Sequence, residues 1–334
     1  MRLLLAALLA LLLAACGKPA PHSQESYVFG TRVEVLVWGE EQSKARTATA
    51  EVLREFDRLH RTYHAWQPSE MTALNDAIAA GKPHEVTEEF AGFIREGQEM
   101  AAKGEHLFDP GIGRLVALWG FHTDEFKPVL PDAEALAKLV AAKPSIADLE
   151  LRGNIVTSRN PSVALDFGGY LKGVALDRAA ASLKAQGITN ALINIGGNVL
   201  ALGSKGGTPW RVGIQDPRKP TPLATLELRD GEAIGTSGDY QRYFDLDGQR
   251  YCHLIDPRSG HPSTGTRAIT VLIPPRANAG MWSDVASKPL FIAGADWQQL
   301  AGKLGLEQVL RVDADGRIEM TDAMRSRLKL ESKP

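Results

Sequence analysis

The chain has 334 residues, of which 44% are hydrophobic and 23% are charged, as expected for a globular protein with a large core. Its net charge of −2 excludes the extended basic surface of a typical nucleic-acid-binding protein. The length fits one large domain or two modest ones.

The first residues, MRLLLAALLALLLAAC, predict an export signal. The apolar run of residues 3–15 is short for a membrane span but has the length of a signal-peptide core. It ends in LAAC, which resembles the bacterial lipobox that is cleaved before its cysteine. We therefore predict a lipoprotein signal peptide over 1–15, lipidation at Cys16, a lipidated tether over 16–26 and a location on the periplasmic side of a bacterial membrane. A plain secretory signal is the alternative.

A lipidated Cys16 would leave Cys252 without a disulfide partner, and we expect Cys252 to be a buried, small apolar residue.

Hydrophobic periodicity and capping residues predict the elements in chain order. The predicted helices cover residues 41–61, 69–75, 88–103, 132–142, 170–186 and 284–304, the last range as one or two helices. The predicted strands cover residues 27–38, 148–158, 162–167, 190–203 with a break at Gly-Gly, 210–216, 223–228, 233–236, 240–247, 267–273 and a hairpin over 309–320. A regular βα repeat is absent, and short turns join many strands. We therefore predict one continuous α+β domain over 27–330, with mixed or antiparallel sheets and flanking helices.

Four segments rich in Gly and Asp predict a binding site. They are FDPGIG (108–113), LDFGGYLKGVALDRA (165–179), INIGGNVLALG (193–203), and the pair TSGDYQRYF (236–244) and HLIDPRSGHP (253–262). Glycines let the backbone approach a ligand, and a helix start such as GGYLKG favours a phosphate, to which Lys172 adds a positive charge. Neither the P-loop nor the G-x-G-x-x-G motif occurs. The alternative is that these glycines serve only turns and helix–sheet contacts.

Histidine and serine patterns narrow the chemistry. His253 lies at a strand end beside a Gly-rich segment, and it is a candidate general base or else a structural, hydrogen-bonded histidine. His60 and His64 are four residues apart without a third ligand, so a zinc site is not expected. A serine nucleophile is disfavoured because G-x-S-x-G is missing. Asp166 or Asp284 with backbone carbonyls would suit magnesium.

Seven segments in the same order resemble the motifs of the ApbE family, the FAD:protein FMN transferases. They are FGT (29–31), WQPSEMTALN (66–75), FDPGIGRLVALWGF (108–121), LDFGGYLKGVALDRA, NALINIGGNVLALG (190–203), IGTSGDYQRYF (234–244) and HLIDPRSGHP. The resemblance covers about residues 26–325 and implies the ApbE-like fold. It also implies an enzyme that binds FAD with Mg²⁺ and transfers FMN to a Thr or Ser hydroxyl of an extracytoplasmic segment of a membrane redox protein, with release of AMP.

The resemblance also implies roles for individual residues. The flavin and nucleotide contacts fall on Phe29, Trp66, Leu107, Phe108, Asp109, Asp166, Lys172 and Ile255. The metal ligands fall on the Gly169 carbonyl and on Asp284. His253 falls on the histidine that takes the proton of the acceptor hydroxyl, and we place Asp256 with it as a catalytic residue.

Two positions depart from the family pattern. Phe29 replaces a methionine, and another apolar side chain can still pack on a flavin. Lys288, in DVASKPLF, occupies the position of a metal-ligating threonine. An ammonium cannot bind a cation, so Lys288 either stands in the place of the metal or points outward while Ser287 provides the oxygen. Two alternative functions therefore remain, an FAD-binding lipoprotein without transferase activity and a metal-dependent FAD pyrophosphatase.

Overall fold

The computed structural model describes residues 20–331. The predicted signal peptide and the lipidation site Cys16 lie outside the described residues. Among the helices of the described part, none is both long enough and apolar enough to cross a membrane.

The elements are numbered in chain order. The helices are α1 (Gln42–Thr62), α2 (Glu70–Ala79), α3 (Glu88–Lys103), α4 (Gly113–Leu118), α5 (Ala133–Ala142), α6 (Leu171–Ala185), α7 (Ala279–Ala293), α8 (Trp297–Lys303) and α9 (Asp322–Arg327). The strands are β1 (His22–Val28), β2 (Thr31–Val37), β3 (His84–Glu85), β4 (Leu149–Arg152), β5 (Ile155–Ser158), β6 (Ala191–Ile195), β7 (Asn198–Leu202), β8 (Trp210–Gln215), β9 (Pro222–Leu228), β10 (Ala233–Gly238), β11 (Tyr243–Leu246), β12 (Gln249–Cys252), β13 (Thr266–Ile273), β14 (Val309–Asp313), β15 (Ile318–Met320) and β16 (Leu328–Leu330).

The main sheet of the described chain has the order β1-β2-β6-β7-β10-β13-β14-β15, and each neighbouring pair is antiparallel. Alternating residues of β13 point to opposite faces, as the pleat of a strand requires. Ile269 and Val271 pack in the helical core, whereas Ala268 and Leu272 pack in a second core beneath the β16-β9-β8 sheet. The predicted α+β class with antiparallel sheets is confirmed.

Helix α7 lies inside the molecule, because β10 and β13 cover one side and α6 covers another. Almost every residue from Ala279 to Ile292 is buried, which brings the charged pair Asp284 and Lys288 into the interior. Helix α1 is amphipathic by contrast, with Val52, Phe56 and Leu59 on its buried face. A charge is costly to bury unless it is paired. The buried pair on α7 therefore makes this helix a candidate for the functional site.

Several predicted boundaries are wrong. The strand predicted over 27–38 is the hairpin β1–β2, and β1 begins at His22, inside the predicted tether. The strand predicted over 148–158 is the hairpin β4–β5. Residues 162–167 form no strand apart from one bridge between Ala164 and Ile112. The helix predicted from 284 begins at Ala279. By contrast, the predicted Gly-Gly break between β6 and β7 is confirmed, and Cys252 is buried as expected.

Candidate active site

A cavity of about 110 Å³ gathers most of the predicted site residues. It is lined by the loop before α4, the turn before α6, Arg242, the segment after β12 and two residues of α7, Lys288 and Ile292. The predicted residues along its wall are Leu107, Phe108, Asp109, Asp166, Gly169, His253, Ile255 and Lys288. These segments are far apart in sequence, and the antiparallel sheet with its buried helix brings them together.

Two larger cavities adjoin this one at Arg242, which lines all three. A cavity of about 470 Å³ contains Phe29 and Trp66, and one of about 690 Å³ contains Lys172. Cavities of this size accommodate drug-sized and cofactor-sized ligands. Together the three cavities form what we call the Arg242 cleft.

Phe29 enters the cleft from the tight turn between β1 and β2. Its backbone φ is 56°, followed by 68° at Gly30, so both turn residues are left-handed as in a two-residue hairpin of type I′. This conformation is rare for a bulky residue. The ring packs against Phe56 and His60, with centroid distances of 6.2 and 5.7 Å.

Asp109 holds the loop that forms the cavity wall. Its buried carboxylate accepts hydrogen bonds from the Gly111 amide at 2.8 Å, the Ile146 amide at 2.8 Å and the Ser145 hydroxyl at 2.5 Å. Because its oxygens are already occupied, Asp109 fixes the backbone around the cavity rather than offering a free carboxylate.

Asp166 lies between the turn before α6 and His122. Its carboxylate binds His122 Nε2 at 3.0 Å and accepts the Gly168 amide at 2.8 Å. Burial alone would raise the pKa of Asp166, but these hydrogen bonds hold it well below its usual range. The His122 ring stacks on Trp66 with a centroid distance of 5.2 Å. Asp166 therefore orients the His122 ring, which stacks on Trp66 at the edge of the Arg242 cleft.

Asp284, Lys288 and Lys172 form a charged cluster beneath the cavity. Asp284 Oδ1 lies 2.6 Å from Lys288 Nζ and 3.7 Å from Lys172 Nζ, while Oδ2 accepts the Gly173 amide at 3.0 Å. Burial lowers the pKa of Lys288 to about 8, while the Asp284 carboxylate works against this shift. Lys288 therefore remains largely protonated at neutral pH, and it points inward.

The expected metal ligands do not fit a divalent cation. Both oxygens of Asp284 are engaged, and its main-chain carbonyl accepts hydrogen bonds from Lys288 Nζ at 2.6 Å and from Ser287 Oγ at 2.8 Å. Ser287 Oγ is also 2.7 Å from Ser237 Oγ. Within residues 20–331 no group of three His, Cys, Asp or Glu side chains could hold a metal. The lysine ammonium occupies the space among the ligands that the resemblance implied.

His253 is the candidate base of the cleft. Its Nδ1 lies 3.2 Å from the carbonyl oxygen of Arg242. Because a carbonyl only accepts, Nδ1 carries the proton of the neutral ring and the lone pair remains on Nε2. The pKa of His253 is lowered to about 3, chiefly by burial. The charges of Arg242, Lys172 and Lys288 contribute to this lowering.

Asp256 does not belong to the cleft, so its predicted catalytic role lacks structural support. Its carboxylate binds the Arg258 guanidinium at 2.7 Å and the Arg258 amide at 2.9 Å. Its backbone amide donates a hydrogen bond to the carbonyl of His261. Asp256 shapes the turn that follows the His253 segment.

The sequence reasoning missed Arg242 and His122. Arg242 lies in the quoted segment TSGDYQRYF, and its guanidinium lies 5.6 Å from the centroid of the Trp66 ring. His122 follows WGF and shows no metal-ligand spacing, so the sequence carried no signal for its contact with Asp166.

Comparisons with known proteins identify the family of the chain. Residues 29–310 match the ApbE family. The chain is 44% identical over 313 residues to an FAD:protein FMN transferase of Rhodobacter capsulatus, covering 93% of this chain but only 59% of that protein. It is 31% identical to an FAD:protein FMN transferase of Klebsiella pneumoniae, covering 76% of this chain and 74% of that protein. The crystal structure of the ApbE protein from Thermotoga maritima superimposes with a TM-score of 0.83 at 28% identity, covering 92% of this chain and 99% of that one. The chain therefore belongs to the ApbE family.

Proposed function

We propose that the chain is an FAD:protein FMN transferase, which moves FMN from FAD to a Thr or Ser hydroxyl of an extracytoplasmic segment of a membrane redox protein. One observation carries the proposal: a histidine with a free Nε2 lines the same cavity as a buried ammonium and a Gly-rich helix start. The two relatives described above are named FAD:protein FMN transferases, which supports the transfer of FMN to protein.

The reaction forms one phosphorus–oxygen bond and breaks another. The acceptor hydroxyl attacks the phosphorus of the FMN half, its proton passes to His253 Nε2, and the bond to the AMP phosphate breaks with AMP as the leaving group. Positioning and charge neutralisation dominate such phosphoryl transfers. His253 provides the base, and the cluster of Lys172 and Lys288 opposes the growing negative charge.

The remaining residues of the Arg242 cleft bind and orient FAD in this proposal. Phe29 and Trp66 offer aromatic faces to the isoalloxazine and adenine rings, and Arg242 adds a cation beside Trp66. Leu107, Phe108 and Ile255 form an apolar wall, while Asp166 and Asp109 hold the surrounding loops. Bound Mg²⁺ is not part of the proposal, because the donors around Asp284 do not fit it.

We further propose that the protein acts on the periplasmic side of a bacterial membrane, anchored by lipid at Cys16. The lipobox-like LAAC supports this proposal. Cys16→Ser should remove labelled palmitate from the protein and shift it from the membrane to the soluble periplasmic fraction. Unchanged palmitate labelling would contradict the anchor.

The activity is tested with the full chain in detergent, FAD, and membranes of a bacterium that lacks its own flavin transferase gene. Fluorescent protein bands in a denaturing gel together with AMP indicate transfer. AMP with free FMN and no bands indicates the pyrophosphatase, and copurified FAD without either product indicates a binding protein. His253→Asn should reduce band formation by about 100-fold or more, whereas the exposed His261→Asn should not.

A further inference from the structure

We propose that the Lys288 ammonium replaces a divalent cation in this enzyme and contacts the pyrophosphate of FAD itself, so that flavin transfer needs no magnesium. This inference rests on the proposed function. It starts from the placement of Lys288, whose side chain is 11% exposed and lies beside Asp284, itself 2% exposed.

The ammonium keeps a hydrogen-bond donor for a ligand. A lysine ammonium has three donors. Two of them go to Asp284, one to Oδ1 and one to the main-chain oxygen, each at 2.6 Å. Lys288 also lines the cavity that holds His253 and Gly169. The third donor is therefore available at the place where the phosphoryl group would be transferred.

The backbone around Lys288 is shaped to hold the lysine stem. A Cβ atom at Gly169 would lie 2.5 Å from Lys288 Cε and 2.8 Å from Lys288 Cδ. The absence of a side chain at Gly169 leaves this space for the lysine. Ser287, next to Lys288, is hydrogen-bonded to Ser237, which fixes α7 against β10 at this point. The ammonium is thus positioned before any ligand arrives.

The charges support neutralisation by the protein. Asp284 contributes one negative charge, and the two ammonium groups within 3.7 Å of its Oδ1 contribute two positive charges, which leaves a net charge of +1. Arg242, on the wall of the same cavity, adds another. Asp109 and Asp166 line the same cavity, so the excess of positive charge is local to the two ammonium groups, beside which the pyrophosphate diester would lie.

The test compares transfer by the full chain in EDTA and in Mg²⁺, scored by AMP release and by fluorescent bands. The wild-type rates in the two buffers should agree within about twofold. Lys288→Thr should lose about 100-fold in EDTA and recover in Mg²⁺. Lys303→Thr, which removes an exposed lysine of α8, should behave as the wild type. A wild type that loses its activity in EDTA would overturn the proposal.

Binding measurements decide the proposal even if no transfer is found. The affinity for FAD, measured by quenching of flavin fluorescence, should be unchanged by EDTA in the wild type. Mn²⁺, titrated by electron paramagnetic resonance, should not bind to the wild-type protein with FAD. Tight Mn²⁺ binding by the wild type, or FAD binding that requires a metal, would overturn the role of Lys288. A failure of the proposed function would instead show as FAD binding without AMP or bands.

Discussion

The two nitrogens of His253 have different surroundings, and this difference defines the expected pH dependence. Nδ1 is held by the Arg242 carbonyl, which leaves Nε2 for the proposed role of base in the cavity that His253 lines. Its pKa of about 3 keeps the ring neutral throughout the neutral range. A base works in its deprotonated form, so activity falls only when the pH drops towards that pKa.

We therefore expect the acidic limb of kcat/KM for FAD to lie well below pH 6.5, the ordinary value for histidine. Bound pyrophosphate opposes the charges of Arg242, Lys172 and Lys288, so the limb of kcat should lie at higher pH than that of kcat/KM. Steady-state AMP release from pH 5 to 8 should therefore show no acidic fall in kcat/KM, because this range lies above the pKa of about 3, whereas a fall in kcat towards pH 5 would report the higher pKa of the FAD-bound state. An acidic limb of kcat/KM at 6.5 would contradict this assignment.

Asp284 is the buried counter-charge of two ammonium groups, those of Lys172 and Lys288. Its replacement by Asn leaves Lys288 buried without a charged partner, and we expect a loss of about 3–5 kcal/mol in the free energy of unfolding. Asp57, which pairs with Arg61 at the same four-residue spacing but on the surface, is the control. Asp57→Asn should cost less than about 1 kcal/mol. Urea unfolding of both variants gives the comparison, and equal losses would contradict the burial argument.

At the scale of single residues, local patterns predicted part of the site. The histidine at the end of β12, the glycines of the turn before α6 and Lys172 could be inferred from residue type and position. The direction of Lys288 could not, because its contact with Asp284 depends on α7 being buried on several sides. The contact between His122 and Asp166 joins two separate loops, and it has no local signature.

The close crossing of α6 and α7 holds Lys172 near Asp284, and it depends on glycine. A Cβ atom at Gly173 would lie 2.5 Å from Met281 Cα and 2.6 Å from the Gly280 carbonyl oxygen. Both are backbone atoms, so the two helices would have to separate.

We expect Gly173→Ala to lower the free energy of unfolding by about 2 kcal/mol or more. Gly92→Ala in α3 is the matched control, because its Cβ would meet no atom within 4 Å. This control should be stabilising by about 0.5–1 kcal/mol. Thermal unfolding followed by circular dichroism measures both variants. If Gly173→Ala left the free energy of unfolding unchanged, the crossing of α6 and α7 would not be as close as described.

The bounds of elements that are capped by neighbouring residues could be predicted from the sequence. The bounds of elements that depend on hydrogen bonds from residues distant in sequence could not. Thr87 caps α3 as the sequence indicates. Residues 162–167 alternate like a strand, but the Asn75 side chain binds both the amide and the carbonyl of Leu165 in place of a neighbouring strand. The start of α7 is fixed by Asp177, whose carboxylate accepts the Gly280 and Met281 amides at 2.8 Å. Such partners lie 90 to 104 residues away in sequence.

In the whole molecule, the antiparallel sheet positions four loop regions around one cleft. The turn after β1, the loop before α4, the turn before α6 and the segment after β12 all line the cavities around Arg242. In the proposed reaction, the charged groups and His253 are therefore in position before FAD binds, which is the condition for electrostatic stabilisation of a phosphoryl transfer.

The central claim, transfer of FMN to protein, is tested most directly by the stoichiometry of the products. The full chain is incubated with FAD labelled in its adenine ring and with membranes that contain acceptor proteins. AMP released and flavin covalently bound to protein are then quantified in the same sample. Our account predicts equal amounts of the two, with both abolished together by His253→Asn. AMP accompanied by an equal amount of free FMN would contradict it.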